Sequence, residues 1–293
     1  MTGLVLIDKP AGLTSHDVVN RWRKIAGARR AGHLGTLDPL ATGLLALLTG
    51  PATRLAQFFS DDEKTYEATI TLGLTSDSYD VDGQVVESGV PAPSDETRIL
   101  VAFSRFKGSF LQTPPPISAK KIRGVPAYKL ARRQMPVELA PVPVEVKSLE
   151  VKSISLPVVQ VVITCSTGTY VRSIAHEVGE ELGCGAILSG LRRLRAGQFS
   201  VEHAYTLEAL NELAVSGRLA DAVIPAGMLL PHIPAEYVDS AAEASIRQGR
   251  DFRTSPFTVP PGAPRVRALS RSGELIAICE LKMPNIYHPS TVL

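Results

Sequence analysis

The stretch KTYEATITLGL, residues 64–74, constrains the fold more than any other part of the 293-residue chain. Tyr66, Ala68, Ile70 and Leu72 alternate with Thr65, Glu67, Thr69 and Thr71, the period-two pattern of a strand with one buried face, and Tyr66 opens the apolar side. Other segments carry strand signals too. LVLIDKPAG reads as a strand running into a turn, VDGQVVE as an Asp-Gly turn within a β-like run, and VPVEVKSLEVKSI and PVVQVVITCS as β-rich stretches. Helical signals interleave with them. TSHDVVNRWRKIAG has Thr14 as cap, Asp17 three residues on and Gly27 as stop. PSDETRILVAFSRF and TLEALNEL read as short helices, and TGTYVRSIAHEVGEELGCG as a turn into a helix stopped by Gly183 or Gly185. The expected class is mixed α/β of the α+β kind, and 44% hydrophobic content supports a sizeable core.

One stretch invites two readings. In GHLGTLDPLATGLL, Asp38 is a favoured N-cap, Pro39 suits the first helical position, and LATGLLALL would follow as the helix. A cap does not account for Gly32 and Gly35, three residues apart, or for His33 between them. Glycines so placed imply a sharp bend or a close approach, so the loop is a candidate holder of a working carboxylate.

Charge is distributed unevenly although the formal net charge is only +2. Residues 61–96 hold ten acids and one base, whereas Arg105 to Arg133 holds eight bases and no acid. Most of the latter sit in LQTPPPISAKKIRGVPAYKLARRQ, a proline-rich stretch read as an exposed insertion, about residues 105–134, that ends in a short helix. A second basic cluster, Arg21, Arg23, Lys24, Arg29 and Arg30, runs up to the Asp38 loop. Singly, each cluster is an ordinary solvated face; together they point to a polyanion such as nucleic acid.

Several chemistries lack an anchor. No phosphate-binding glycine loop follows a strand, and the six histidines are scattered, so neither a nucleotide cofactor nor a transition metal is signalled. SDSYDVDGQ resembles a calcium loop only in part, because Ser78 and Gly89 stand where acids are required. Asp38 has no evident carboxylate mate, as glycosidase chemistry would demand. Cys165, Cys184 and Cys279 are odd in number and widely spaced, which fits a reducing cytoplasm rather than a disulfide framework. The N-terminal apolar run meets Asp8 and Lys9 early, and no apolar stretch reaches the roughly 18 residues a membrane span requires. Prolines gather in IPAGMLLPHIPAEY, placing an expected boundary near residue 231 between a large unit, 1–230, and a small β-rich unit, 231–293.

Six blocks in order, LVLIDKPAGLTSHDVV, RRAGHLGTLDPLATGLL, KTYEATITLGLTSDSYDVDG, PPPISAKKIRGVPAYKLARR, CSTGTYVRSIAHEVGEELGCGA and LRRLRAGQF, make the chain resemble the TruB-type tRNA pseudouridine synthases. The resemblance implies a pseudouridine synthase fold with a large, mainly antiparallel sheet and a C-terminal PUA-like RNA-binding module. It implies that uridine 55 in the tRNA T-loop is the substrate, with neither metal nor cofactor and no obligatory protein partner. By the same resemblance Asp38 is the essential aspartate acting at the glycosidic carbon, and Tyr66 stacks on the target uracil and helps remove its C5 proton. Arg172 pairs with the carboxylate, Leu191 lines the base pocket, and Lys9, His33 and Tyr170 shape the pocket or meet the everted nucleotides. Lys120, Lys121 and Arg123 in the insertion would grip RNA. Ile117 departs from the pattern, standing where an aromatic residue usually precedes Ser-Ala. Two other readings stay open: a guide-RNA-dependent pseudouridine synthase with protein partners, and a non-catalytic tRNA-binding chaperone in which Asp38 is only a cap.

Overall fold

The computed structural model describes residues 1–60, 62–118, 121–122, 125–126 and 139–293. The insertion residues Lys120 and Arg123, the side chain of Lys121 and the short helix expected near residue 130 lie outside the described residues.

A ten-stranded sheet organises the large unit. Its main path runs Val223–Pro225, Gly3–Lys9, Thr42–Thr49, Ala186–Ala196, Lys64–Leu72, Val158–Cys165, Val142–Ser155, Gly108–Gln112. Neighbours on this path are antiparallel except Ala186–Ala196 against Thr42–Thr49, which is parallel. The Lys64–Leu72 strand keeps the alternation read from its sequence, with Tyr66, Ala68, Ile70 and Leu72 buried. The helices Ser15–Ala26, Glu96–Ser104, Val171–Leu182 and Leu207–Val215 supply the covering layer through Trp22, Phe103, Val178 and Leu210. Thr14 caps the first of these in a reciprocal box with Asp17, and Gly27 ends it in the left-handed conformation that a Cβ disfavours. Asp95 and Thr206 cap two of the others, and Gly183 closes the Val171–Leu182 helix.

The expected helix after Asp38 is a strand. Thr42–Thr49 crosses the sheet, and Asp38 caps no helix. The reason is burial on both faces: Leu45 and Leu47 pack under the helices, while Leu44, Ala46 and Leu48 pack on the opposite side. A strand wrapped in apolar neighbours shows no alternation, so a run such as TGLLALLT reads equally as helix or strand. Each fully buried leucine contributes about 1.5–3 kcal/mol of transfer free energy, more than helix propensity can offset. Gly43 fits this crossing because its φ is +93° and a Cβ there would lie 2.4 Å from the Arg193 carbonyl oxygen.

The second sheet has five strands, in the order Ala235–Tyr237, Arg265–Leu269, Leu275–Met283, Ile286–Val292, Phe252–Arg253, with the helix Ser240–Arg247 beside it. It has its own core around Ile246, Val266, Ile276 and Tyr287. Leu269, Leu275 and Ile278 nevertheless join a cluster with Leu4, Leu44, Leu48, Leu55 and Phe199 of the large unit. Arg267 reinforces the junction by donating to the carbonyls of Gly227, Leu229 and Ile233. No described helix is long and apolar enough to cross a membrane.

Candidate active site

The loop between the strands Ala31–His33 and Thr42–Thr49 is held by contacts from four directions. Gly35 adopts φ +98°, which turns the chain sharply after Leu34. Ser15, in the first turn of the Ser15–Ala26 helix, donates through Oγ to the Leu37 carbonyl (3.1 Å) and accepts from the Leu37 amide (2.8 Å). The Gly12 amide donates to the Pro39 carbonyl at 2.8 Å, and buried Lys9 donates through Nζ to the carbonyls of Pro10, Leu13 and Pro39. From the far side Arg193, 1% exposed, donates to the carbonyls of Leu44, Thr36 and Gly35. Backbone groups that a regular element would have paired thus find side-chain partners.

Asp38 projects from this held loop with its side chain one-third exposed. Arg172 lies beneath it, almost wholly buried, with Nε 3.0 Å from Asp38 Oδ2 as an ion pair. The same guanidinium donates through Nη1 to the Ser78 carbonyl at 3.1 Å and pairs with Asp80 Oδ2 at 3.2 Å. One arginine therefore bridges two carboxylates, one exposed to incoming molecules and one buried. Burial pushes the Asp80 carboxyl above its ordinary range, while the Ser78 hydroxyl and the Arg172 charge pull it back. Desolvation leaves Arg172 dependent on these anions, and its planar fork reaches both where a lysine could reach only one.

Asp38 and Arg172 border a cavity of about 230 Å³. Tyr66, Leu191, Tyr170, Lys64 and Arg193 also line it. Tyr66 and Arg193 are register partners on adjacent strands, so ring and guanidinium share one face of the sheet. Burial raises the Tyr66 pKa, which keeps the phenol neutral and its ring a flat apolar surface. Tyr170 sits at the N-terminus of the Val171–Leu182 helix, its backbone amide and carbonyl both bonded to the buried Gln112 side chain. Lys64 donates to the Asp62 carbonyl and to Thr167 Oγ1.

Five residues named from the sequence, Asp38, Tyr66, Arg172, Leu191 and Tyr170, therefore meet at one cavity. Two do not line it. Lys9 lies under the loop, where burial lowers its pKa to about 8 against the opposing pull of Asp38. His33 sits in the Ala31–His33 strand, its pKa lowered by burial and by Arg193, which favours the neutral imidazole. Ile117 is described and half-buried. Asp80, Arg193, Lys64 and Ser15 are additions that no sequence motif singles out. Arg193 stands two residues after Leu191, and Lys64 two before Tyr66, so the strand period puts each on the cavity face. Asp80 lies in a segment read from the sequence as a partial calcium loop, an Asp-Gly turn and part of a family block, none of which assigns it a role; a Cβ on Gly83 of that turn would lie 2.2 Å from Asp77 Oδ1. Among the described residues no cluster of histidine, cysteine, aspartate or glutamate has the arrangement of a metal site.

Comparison with known proteins places the chain in a family. Residues 23–171 match the N-terminal domain of the TruB family pseudouridylate synthases, and residues 172–231 match the tRNA pseudouridylate synthase B C-terminal domain. The chain is 48% identical to tRNA pseudouridine synthase B of Solibacter usitatus over the whole of both chains. It is 42% identical to the Geobacter sulfurreducens protein of that name, covering 96% of this chain and 93% of that one. Among solved structures, a chain of a Cbf5-Nop10-Gar1 complex aligns with a TM-score of 0.73 at 26% identity, covering 99% of this chain and 84% of that one. With its motifs, its sheet and its carboxylate–arginine pocket all accounted for, the chain belongs to the TruB family of pseudouridylate synthases.

Proposed function

We propose that this enzyme converts uridine to pseudouridine at position 55 in the T-loop of tRNA, and that Asp38 carries the chemistry. The carrying observation is the Asp38–Arg172 ion pair at the lip of a cavity whose wall includes the Tyr66 ring and Leu191. The reaction breaks the N1–C1′ bond, turns the detached uracil and forms a C5–C1′ bond; the proton lost from C5 is matched by one gained at N1. Atoms balance within the nucleotide, so one carboxylate at the sugar–base junction can suffice. Arg172 directs that carboxylate and Tyr66 stacks on the flipped base, while Leu191 seals the apolar side and Tyr170 borders the entry. Flipping a loop nucleotide costs a few kcal/mol, offset by stacking and phosphate contacts. Lys120, Lys121 and Arg123 are the proposed phosphate contacts, and residues 231–293 a second RNA-binding unit of the PUA type.

Relatives named tRNA pseudouridine synthase B at 42–48% identity favour tRNA as substrate; that the protein acts without a protein partner, in the cytoplasm, is part of the proposal. The likeness to a chain of a Cbf5-Nop10-Gar1 complex keeps a partnered, guide-dependent mode as the reading to test against. Purified protein and an unmodified tRNA transcript, scored for pseudouridine at each position, separate these readings and the chaperone alternative. Product at position 55 from the protein alone supports the proposal. No product from the protein alone overturns it.

A further inference from the structure

Asp80 belongs to the segment Ser76–Gly83, which joins the short strands Leu74–Ser76 and Val85–Glu87. This segment runs beside Leu188 at the main sheet and touches the Val171–Leu182 helix at two points. Asp80 pairs with Arg172, and the Tyr79 ring lies flat on the His176 imidazole, centroids 3.8 Å apart and planes 5° from parallel. Arg172 and His176 are four residues apart, hence neighbours on one helix face. Tyr79 holds φ at +64°, a left-handed conformation that side chains other than glycine rarely adopt. The backbone on either side is tied to Leu188, which donates to the Tyr79 carbonyl at 3.0 Å and accepts from the Val81 amide at 3.2 Å. Burial lowers the His176 pKa, so two neutral rings stack near neutral pH.

We infer that the Tyr79–His176 stack is a positioning clasp, fastening the Ser76–Gly83 segment so that Asp80 holds Arg172, and Arg172 holds Asp38, in working geometry. Neither ring lines the cavity, so neither is among the groups placed around the reacting base. The left-handed backbone at Tyr79 turns its ring toward His176 while the next residue faces Arg172, which couples the two contacts through one peptide unit. The inference rests on the proposed uridine isomerisation for its kinetic consequences, but the clasp itself can be read without turnover.

The test uses the full-length protein with Tyr79→Phe, Tyr79→Gly, His176→Phe and His176→Ala. Tyr79→Gly removes the ring and relieves the left-handed strain but frees the backbone, whereas His176→Ala leaves that backbone unchanged, so a loss shared by both comes from the stack. The aromatic replacements should keep kcat within about twofold, whereas removing either ring should lower kcat about tenfold with KM for tRNA nearly unchanged. Tyr79→Gly combined with Asp80→Asn should be no slower than Asp80→Asn alone, because the ring acts through the carboxylate. Hydrogen exchange at the Val81 and Asp82 amides should quicken in His176→Ala and not in His176→Phe; the Asp82 amide donates to Asp80 Oδ1 at 3.0 Å. Wild-type kcat in the ring-free variants, additive losses in the double variant, or unchanged exchange in His176→Ala would each overturn the clasp. An inactive wild type whose exchange pattern follows the rings would overturn the proposed reaction and leave the clasp standing.

Discussion

Replacing Ser15 by alanine tests whether the site is built from the first helix upward. The Ser15 hydroxyl is the partner of both backbone groups of Leu37, the residue before Asp38, and both residues are at most 3% exposed. Alanine removes two neutral hydrogen bonds, each contributing a net ~0.5–1.5 kcal/mol, and leaves a buried N–H and C=O unpaired. Water has little access to Leu37, so the loss should reach about 2–4 kcal/mol, or a fall in Tm of about 5–15 °C for a chain of this size. Once released, the Asp38 peptide no longer has a fixed position over Arg172. A displacement of the order of 1 Å at a reacting group costs about 100-fold in rate. Calorimetry or urea unfolding gives the first number and single-turnover pseudouridine formation the second. A lower Tm with wild-type kcat would refute the link between Ser15 and Asp38, and an unchanged Tm would refute the burial argument itself.

Five further outcomes are expected. Asp38→Asn should abolish turnover while tRNA affinity stays within about tenfold, or about 1.4 kcal/mol, in a binding assay; Arg172→Lys, unable to reach Asp38 and Asp80 together, should also cost most of the rate. Lys9, with a folded pKa of about 8 against 10.5, binds fewer protons folded than unfolded between those values. Stability should therefore rise with pH across that window, by up to about 3 kcal/mol, be flat below it, and lose this rise in Lys9→Met, read as the difference between the two proteins in urea unfolding. Neutralising Lys120, Lys121 and Arg123 together should weaken tRNA binding and lessen the slope of log K against log salt by up to about 0.9 for each phosphate no longer neutralised. Deleting residues 232–293 should yield aggregating protein, because it strips Leu269, Leu275 and Ile278 from a cluster holding Leu4 and Leu48; a soluble, monodisperse product would show that this core is dispensable.

The sequence is most legible where one periodicity or one cap decides the outcome. Residues 64–72 alternate because one face of their strand is covered, and Thr14 with Asp17 forms the expected box because that exchange is local. Residues 42–49 read as a helix and fold as a strand because cover on both faces erases the pattern. The separate β-rich unit is visible as strands and turns, but its shared core with Leu4 and Leu44 is not, since contacts between distant segments leave no local mark. The site divides the same way. Asp38 and Tyr66 stand out in distinctive stretches, whereas Arg193 looks like any base in LRRLRAGQF until the register sets it beside Tyr66. Asp80 looks like one acid among many until Arg172 reaches it.

The Arg193 bonds to the Asp38 loop span up to 158 residues of chain. A ribosome adding 5–20 residues per second needs roughly 8–30 s to cover that distance. For that interval the loop has left the ribosome but its clamp has not been made, and the sheet position of Thr42–Thr49 next to Ala186–Ala196 is still vacant. Arg172 is also made late, so an unfinished chain carries Asp38 on a loop that Lys9 and Ser15 can hold but without the guanidinium that pairs with it. The pocket cannot be completed until residues 172 and 193 have been added, although the contacts within residues 9–39 need neither. Competence arrives in one late step, when the strand bearing Leu191 and Arg193 closes between two strands made long before it.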